Sequence, residues 1–177
     1  EAFLEEKKDT LKNYQGKLII NIAGETKQEF LAVIERLEQE EWIDGYEINV
    51  SCPNVKKGGI AFGTDPKVLY KLAQSIRSHT DKFLIIKLSP NVTNIDEIAI
   101  QAQQAGVDAV SLVNTFYGAA IDVESWEPKI NSVIGGLSGP AIKPAAVAKV
   151  INAKKVVDIP IIGIGGISSG EDVVEFM

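Results

Sequence analysis

The chain has one cysteine, Cys52, in 177 residues. A lone cysteine excludes an internal disulfide, and with it any zinc or iron–sulfur site built from clustered thiolates. Histidine is equally scarce. His79 is the single one and falls in a His-Thr-Asp turn after a helical segment, so no metal site and no histidine-based acid–base chemistry is expected. No apolar run approaches the ~20 residues of a membrane-crossing helix. No signal peptide is read either, because Glu1-Ala-Phe-Leu-Glu-Glu-Lys-Lys8 has the pattern of a charged amphipathic helix. Positive charge is in deficit, with 18 Lys and Arg against 24 Asp and Glu and a net charge of −6. That balance argues against a nucleic-acid partner, whose phosphates need clustered cations. The expectation is a reduced, cytoplasmic protein with neither membrane nor nucleic acid among its partners. The ends also lack polar tails: the chain opens in one helical pattern and closes in another, Glu171-Asp-Val-Val-Glu-Phe-Met177. A piece of a longer protein is therefore expected.

What is present is a hydrophobic content of 45%, enough for a single domain over residues 1–177. Leu18-Ile-Ile-Asn-Ile-Ala23 reads as a buried strand. Thr26 is placed to cap a helix to about Gln39, with Phe30, Val33, Ile34 and Leu37 at helical spacing. A strand follows near Tyr46, then a helix opened by Asp65-Pro66 with Leu69, Leu72 and Ile76 as its apolar stripe. Strand Phe83–Leu88, a helix near Ile95–Ala105 stopped by Gly106, strand Ala109–Asn114, helix Ala141–Ala153 and strand Pro160–Ile164 complete the run. Within the long link after Asn114, Ala120–Glu124 and Lys129–Ile134 are expected to pair as a small hairpin. Apolar strands alternating with amphipathic helices indicate βα units around a parallel sheet. The expected architecture is α/β, a (β/α)8 TIM barrel of which about five units are present, the first strands and the last being absent. A doubly wound sheet is the alternative, but no Gly-x-Gly-x-x-Gly follows the first strand.

The central stretch is Tyr46-Glu-Ile-Asn-Val-Ser-Cys-Pro-Asn-Val-Lys-Lys-Gly-Gly-Ile-Ala-Phe-Gly63. It starts as a strand, turns polar at Asn49, Ser51, Cys52 and Asn54, and is stopped by Pro53, which has no N–H to donate. Gly58, Gly59 and Gly63 suggest a long mobile loop beyond it. An isolated cysteine most often packs as a small hydrophobe, whereas one flanked by carboxamides at a strand's end reads as a reactive group over a pocket. The segment Asn-Val-Ser-Cys-Pro-Asn-Val-Lys-Lys-Gly-Gly closely resembles the active-site loop of class 1 dihydroorotate dehydrogenases, flavin enzymes of pyrimidine biosynthesis. The resemblance runs along essentially the whole chain. Class 2 enzymes of that family carry serine where this chain has Cys52.

In a barrel, chemistry gathers at the C-terminal ends of the strands. Those ends carry Asn21, then Asn49 with Cys52 and Asn54, then Lys87, then Asn114 with Thr115, then Gly163-Ile-Gly-Gly-Ile167. Lys87 interrupts an apolar run, where an unpartnered ammonium would be costly unless it snorkels to water. The carboxamides suit the alternating donors and acceptors of a flat heterocycle, although asparagine is common in turns for its own reasons. Glycines after a late strand fit a barrel phosphate site or merely a tight turn, and Ser168 or Ser169 is placed to cap the helix that follows.

The resemblance implies roles for these positions. Cys52 would be the general base, taking a proton from ring carbon 5 of dihydroorotate while hydride leaves carbon 6. Asn49, Asn54, Asn114 and Thr115 would bind substrate. Asn21, Asn49, Lys87, Gly139, Gly165 and Gly166 would bind FMN, Lys87 at the pyrimidine edge of the ring. The Val55-Lys-Lys-Gly-Gly continuation is similar to class 1B, whose catalytic subunit forms a homodimer core of a heterotetramer. Its partner is an electron-transfer subunit carrying FAD and a 2Fe-2S cluster that passes electrons to NAD. Two alternatives stay open: a fumarate-using class 1A enzyme, and a non-redox phosphate-binding aldolase or isomerase barrel using Lys87 as a Schiff-base amine.

Overall fold

The computed structural model of the chain describes residues 2–51 and 59–177. In order it contains α1 (Ala2–Leu11), β1 (Ile19–Ile22), α2 (Lys27–Leu37), β2 (Gly45–Asn49), α3 (Gly59–Thr64), α4 (Pro66–Arg77), β3 (Phe83–Lys87), α5 (Ile95–Gln104) and β4 (Ala109–Leu112). Then come β5 (Phe116–Gly118), β6 (Gly135–Leu137), a 3₁₀ turn (Pro140–Ile142), α6 (Lys143–Lys154), β7 (Ile161–Gly163) and α7 (Gly170–Phe176). No helix among the described residues is long and apolar enough to cross a membrane.

The boundaries follow local chemistry. The Thr26 hydroxyl accepts from Glu29 N at 3.2 Å and starts α2. Asp65 caps α4 through Lys67 N at 2.8 Å and Val68 N at 3.1 Å, with Pro66 in the first turn, where a missing N–H costs nothing. Asn94 caps α5 through Asp96 N, and Gly106, at φ +86°, lets the chain leave that helix in a left-handed conformation. Each side-chain cap contributes about 1 kcal/mol.

Five parallel strands form the main sheet in the order β1-β2-β3-β4-β7. That order follows the chain without reversal, whereas a doubly wound sheet reverses at a switch point. The helices cover one face only. Ile22, Tyr46, Ile48, Leu84, Ile86, Val110 and Leu112 turn to that face and are buried with Phe30 and Ile34 of α2, Leu69, Leu72 and Ile76 of α4, and Ile98 of α5. Each such burial contributes about 1.5–3 kcal/mol, and this layer is the core. Residues of the opposite parity line the second face. At its N-terminal end this face holds Ile19 and Phe83, and at its C-terminal end it is polar.

The N-terminal edge of the sheet is a locked polar layer. Asp108 accepts from Leu84 N at 2.7 Å and from Arg77 Nη1 at 2.8 Å, and Arg77 also donates to Lys82 O. Glu38 accepts from Tyr46 Oη at 2.8 Å and from Thr80 Oγ1 at 2.7 Å. Burial, with Glu38 beside it, pushes the Tyr46 phenol well above its ordinary value. His79 lies at this end too, its Nδ1 2.8 Å from Ser75 O, away from the strand ends that carry the chemistry.

Two expectations change. The hairpin exists, but its strands are Phe116–Gly118 and Gly135–Leu137, antiparallel, with one further bridge between Ile121 and Pro128. Ala120–Glu124 and Lys129–Ile134 lie in the connection. Lys129 N donates to Ala120 O at 2.9 Å, but Asp122 draws its segment into a turn by accepting from Glu124 N and Ser125 N at 3.0 Å each, so the pairing goes no further than that bridge. Gly135 and Gly136 join the sheet instead: at Gly136 a Cβ would stand 2.5 Å from Thr115 Oγ1, and only a bare backbone passes there. The second change is in the glycine-rich segment, expected to be a loop throughout. Gly59–Thr64 is helix α3, and Gly63 is buried where a Cβ would come within 2.6 Å of Val50 O.

Candidate active site

Register decides which side chains meet. Asn21 of β1 is opposite Glu47 of β2, Asn49 is opposite Lys87 of β3, and Lys87 is opposite Ser111 of β4. All five have the same parity and project from the face the helices leave uncovered, near its C-terminal rim. Asn49 and Lys87 end their strands, so a single residue's change of register would turn them to the helix side.

The carboxamides are held rather than loose. Asn114 Nδ2 donates to Asn49 Oδ1 at 2.9 Å, and Ser51 N donates to the same oxygen at 3.2 Å. Asn114 Oδ1 accepts from Thr115 N at 2.8 Å. The exits of β2 and β4 are thereby tied across β3, and the orientation of both amides is set by their partners. Ser51 Oγ donates to Lys87 O at 3.1 Å, which fastens the start of the Cys52 segment to the end of β3. Cys52 and Asn54 themselves lie outside the described residues.

Lys87 has a charged neighbour. Its Nζ stands 3.9 Å from Glu47 Oε2, the two side chains being 21% and 17% exposed. Glu47 also accepts from Asn21 Nδ2 and, at 2.6 Å, from Ser111 Oγ. The ammonium is therefore neither unpartnered nor simply snorkelling to water.

The two glycine loops meet one another. At Gly166, φ +75°, a Cβ would fall 2.8 Å from Lys143 Cβ and 2.9 Å from both Gly139 O and Lys143 N. Gly165, φ +126°, is backed by Ala146, Ile142 and Val113, while Gly139, φ +93°, has no neighbour within 4 Å of its Cβ position. Behind the loop, Ser169 and Asp172 form a reciprocal cap. Asp172 Oδ2 accepts from Ser168 N, Ser168 Oγ and Ser169 N, and Asp172 Oδ1 accepts from Lys143 Nζ at 2.6 Å. The Lys143 ammonium, with Ser168, holds the Asp172 carboxyl far below the usual carboxylate range. Asp172 and Glu175 in turn raise Lys143 above the ordinary lysine value. The lysine is occupied by these acids.

Of the residues expected from sequence, the structure brings Asn21, Asn49, Lys87, Asn114 and Thr115 to one rim, and joins Gly139, Gly165 and Gly166 in a second cluster. Three polar residues were missed. Glu47 sits between Tyr46 and Ile48, which are fully buried on the other face. It breaks an apolar strand just as Lys87 does, and that was the available signal. Ser111, fully buried, interrupts Ala-Val-Ser-Leu in the same way. Asn91 donates to Thr115 O at 2.9 Å and accepts from Tyr117 N at 3.1 Å, tying the β3 exit to the hairpin. Nothing in its Ser-Pro-Asn context distinguishes it from a turn residue. An apolar groove of about 830 Å³ runs along the free edge of β1 beside α1 and α2. Its lining takes residues of both parities from that strand and reaches the polar row at Asn21.

Comparison with known proteins bears on this geometry. The dihydroorotate dehydrogenase family model matches residues 1–177. The "Dihydroorotate dehydrogenase B (NAD(+)), catalytic subunit" of Geobacter metallireducens is 49% identical over 177 residues, all of this chain and 58% of that protein. The proteins of the same name from Thermoanaerobacter sp. and Citrifermentans bemidjiense are each 48% identical over 177 residues, with the same coverage. The chain thus spans 58% of the length of these curated relatives. Among solved structures, inosine 5′ monophosphate dehydrogenase from Legionella pneumophila superimposes with a TM-score of 0.58. That match covers 98% of this chain and 44% of the other at 17% identity, a likeness of fold alone.

Proposed function

We propose, from the premise that this chain belongs to the dihydroorotate dehydrogenase family, that the whole protein carries out FMN-dependent oxidation of dihydroorotate to orotate in pyrimidine biosynthesis. The chain forms part of a single (β/α)8 barrel domain, and its rim supplies the substrate contacts. The observation that carries the reading is the Asn49–Asn114 amide pair beside Lys87, directly where the Cys52 segment leaves β2.

The residues present fit the flavin. Gly166 packs against Gly139 O and Lys143 N, while Gly139, with no atom within 4 Å of its Cβ position, leaves open space beside that contact, and glycine backbone at positive φ in such a place suits the close approach of a phosphate. Asn21 and Lys87 stand on the uncovered face, where a flat ring would lie. When bound, FMN supplies the acceptor for the hydride that leaves carbon 6 of dihydroorotate.

The chain's own side chains do the rest. Asn49, Asn54, Asn114 and Thr115 hold the pyrimidine ring, with donors and acceptors on each carboxamide to match its carbonyls and N–H groups. The hydrogen bonds at 2.8–3.2 Å that fix Asn49 and Asn114 set those groups in advance, which lowers the cost of ordering them on binding. Cys52, as thiolate, removes the proton from carbon 5. A free thiol has a pKa of about 8.5, within reach of neutral pH. Lys87 contributes positive charge where negative charge develops during the reaction.

The names of the relatives, together with the Val55-Lys-Lys-Gly-Gly continuation, support class 1B. In that assignment the protein is the cytoplasmic homodimer core of a heterotetramer. Electrons pass to NAD through a partner subunit carrying FAD and a 2Fe-2S cluster. The test is NAD reduction by dihydroorotate, using the full-length protein with and without that partner. Turnover with NAD only when both are present is expected. Direct fumarate reduction by the protein alone would contradict the assignment to class 1B.

A further inference from the structure

Glu47 is the one acid on the polar row, and its surroundings are more elaborate than packing requires. Three strands reach it: Asn21 from β1 and Ser111 from β4 donate to its two oxygens, and Lys87 of β3 stands 3.9 Å away. Burying a carboxylate costs free energy that an apolar side chain at this position would not incur. Its neighbours on β2 in sequence, Tyr46 and Ile48, show what that strand places in a core. The Lys87–Glu47 separation exceeds the 2.7–2.9 Å of a charge-assisted hydrogen bond. Among the described residues, Lys87 Nζ donates no hydrogen bond to Glu47, so its N–H groups are not used up by the acid. The attraction is coulombic: it offsets the ammonium's charge and restrains where the side chain lies.

We propose that Glu47 is a positioning residue for the redox site. It anchors the Asn21 amide and partly neutralises Lys87, thereby setting the net charge that the rim presents to the bound flavin and hence the flavin's reduction potential. The inference rests on the FMN reading above and deepens it. A reduced flavin carries more negative charge than an oxidised one, so an unopposed ammonium favours reduction and a carboxylate beside it opposes reduction. Ser111 modulates the same group, since its hydroxyl dipole offsets part of the carboxylate charge.

The test is the two-electron midpoint potential of the full-length, flavin-loaded protein, measured anaerobically against a reference dye in wild type, Glu47→Gln and Ser111→Ala. Glu47→Gln keeps the shape and removes the charge. It is expected to raise the ratio of reduced to oxidised flavin at fixed potential about tenfold, an upward shift of about 30 mV. Ser111→Ala leaves the carboxylate less offset and shifts the potential the other way. A Glu47→Gln protein with wild-type flavin content and an unmoved or lower potential overturns the proposal, because a purely structural carboxylate would affect stability and not potential. Should that variant take up no flavin, Ser111→Ala decides: a downward shift supports the proposal and an unchanged value overturns it. Full-length wild type that binds no flavin overturns the parent reading as well. A wild type that binds flavin and is reduced by dihydroorotate, with neither variant shifted, overturns this inference alone.

Discussion

Replacing Gly166 by alanine puts the contact between the two glycine loops to a quantitative test, with Gly106→Ala as its control. Both glycines have positive φ, +75° and +86°. An L-residue there costs about 1–2 kcal/mol, part of which is returned because alanine has less unfolded-state entropy to lose, about 0.4–1 kcal/mol. At Gly106 that is the whole effect, since the nearest atom to its Cβ position is Arg77 Cγ at 3.6 Å, an ordinary contact. At Gly166 the methyl group would meet Gly139 O and Lys143 N at 2.9 Å. Both are backbone atoms that cannot rotate aside, and overpacking of this kind adds about 1–3 kcal/mol. Gly106→Ala is thus expected to destabilise by about 1 kcal/mol or less and Gly166→Ala by about 2–4 kcal/mol. The assay is urea unfolding of the full-length apoprotein, read as a shift in midpoint at constant slope. Flavin content is measured alongside and is expected to fall only in Gly166→Ala. Equal losses of stability in the two variants would refute the packing of one glycine loop against the other.

Other consequences follow from the same geometry. Glu40 accepts from Lys8, Trp42 and Arg36, and these partners, Lys8 foremost, hold its carboxyl down to about 2. Its folded-state value is depressed, so its contribution is complete above the unfolded value of about 4.3. It is lost as pH falls from there through the folded-state value. The stability gap between wild type and Glu40→Gln, measured by urea midpoint, should therefore narrow between pH 6 and pH 3, and a constant gap would contradict the pairing. Asn114→Ala removes the donor to Asn49 Oδ1 and should raise the KM for dihydroorotate about tenfold, equivalent to about 1.4 kcal/mol. Flavin content should be unchanged, and an unaltered KM would show that this amide pair does not hold the substrate. Cys52→Ala should keep flavin and slow its reduction by dihydroorotate about 10²–10⁴-fold at neutral pH. Reduction at wild-type speed would mean that another group takes the proton.

The order of the barrel was legible because each strand is a short apolar run ended by a polar residue or glycine. Helices α2, α4 and α7 also carry their own start signals, in Thr26, Asp65 and Ser169. The rim was legible because Asn21 and Lys87 interrupt apolar runs near their ends and Asn114 closes one. Glu47 and Ser111 escaped because they lie one or two residues inside their strands, and their importance depends on register with three neighbouring strands. No local pattern encodes that register. The hairpin was assigned to its β-branched segments, yet the ladder runs through Gly135 and Gly136, whose value lies in having no side chain opposite Thr115. Helix α3 was hidden by its glycines, and one of them, Gly63, is required by its closeness to Val50 O. Cys52 and Asn54, on which the proposed chemistry turns, lie outside the described residues, and their roles rest on sequence.

The most direct test of the central claim is the visible absorption spectrum of the full-length protein before and after anaerobic addition of dihydroorotate. The account predicts a flavin band that bleaches on addition. A full-length protein without a flavin band, or with one that dihydroorotate leaves unchanged, would contradict it.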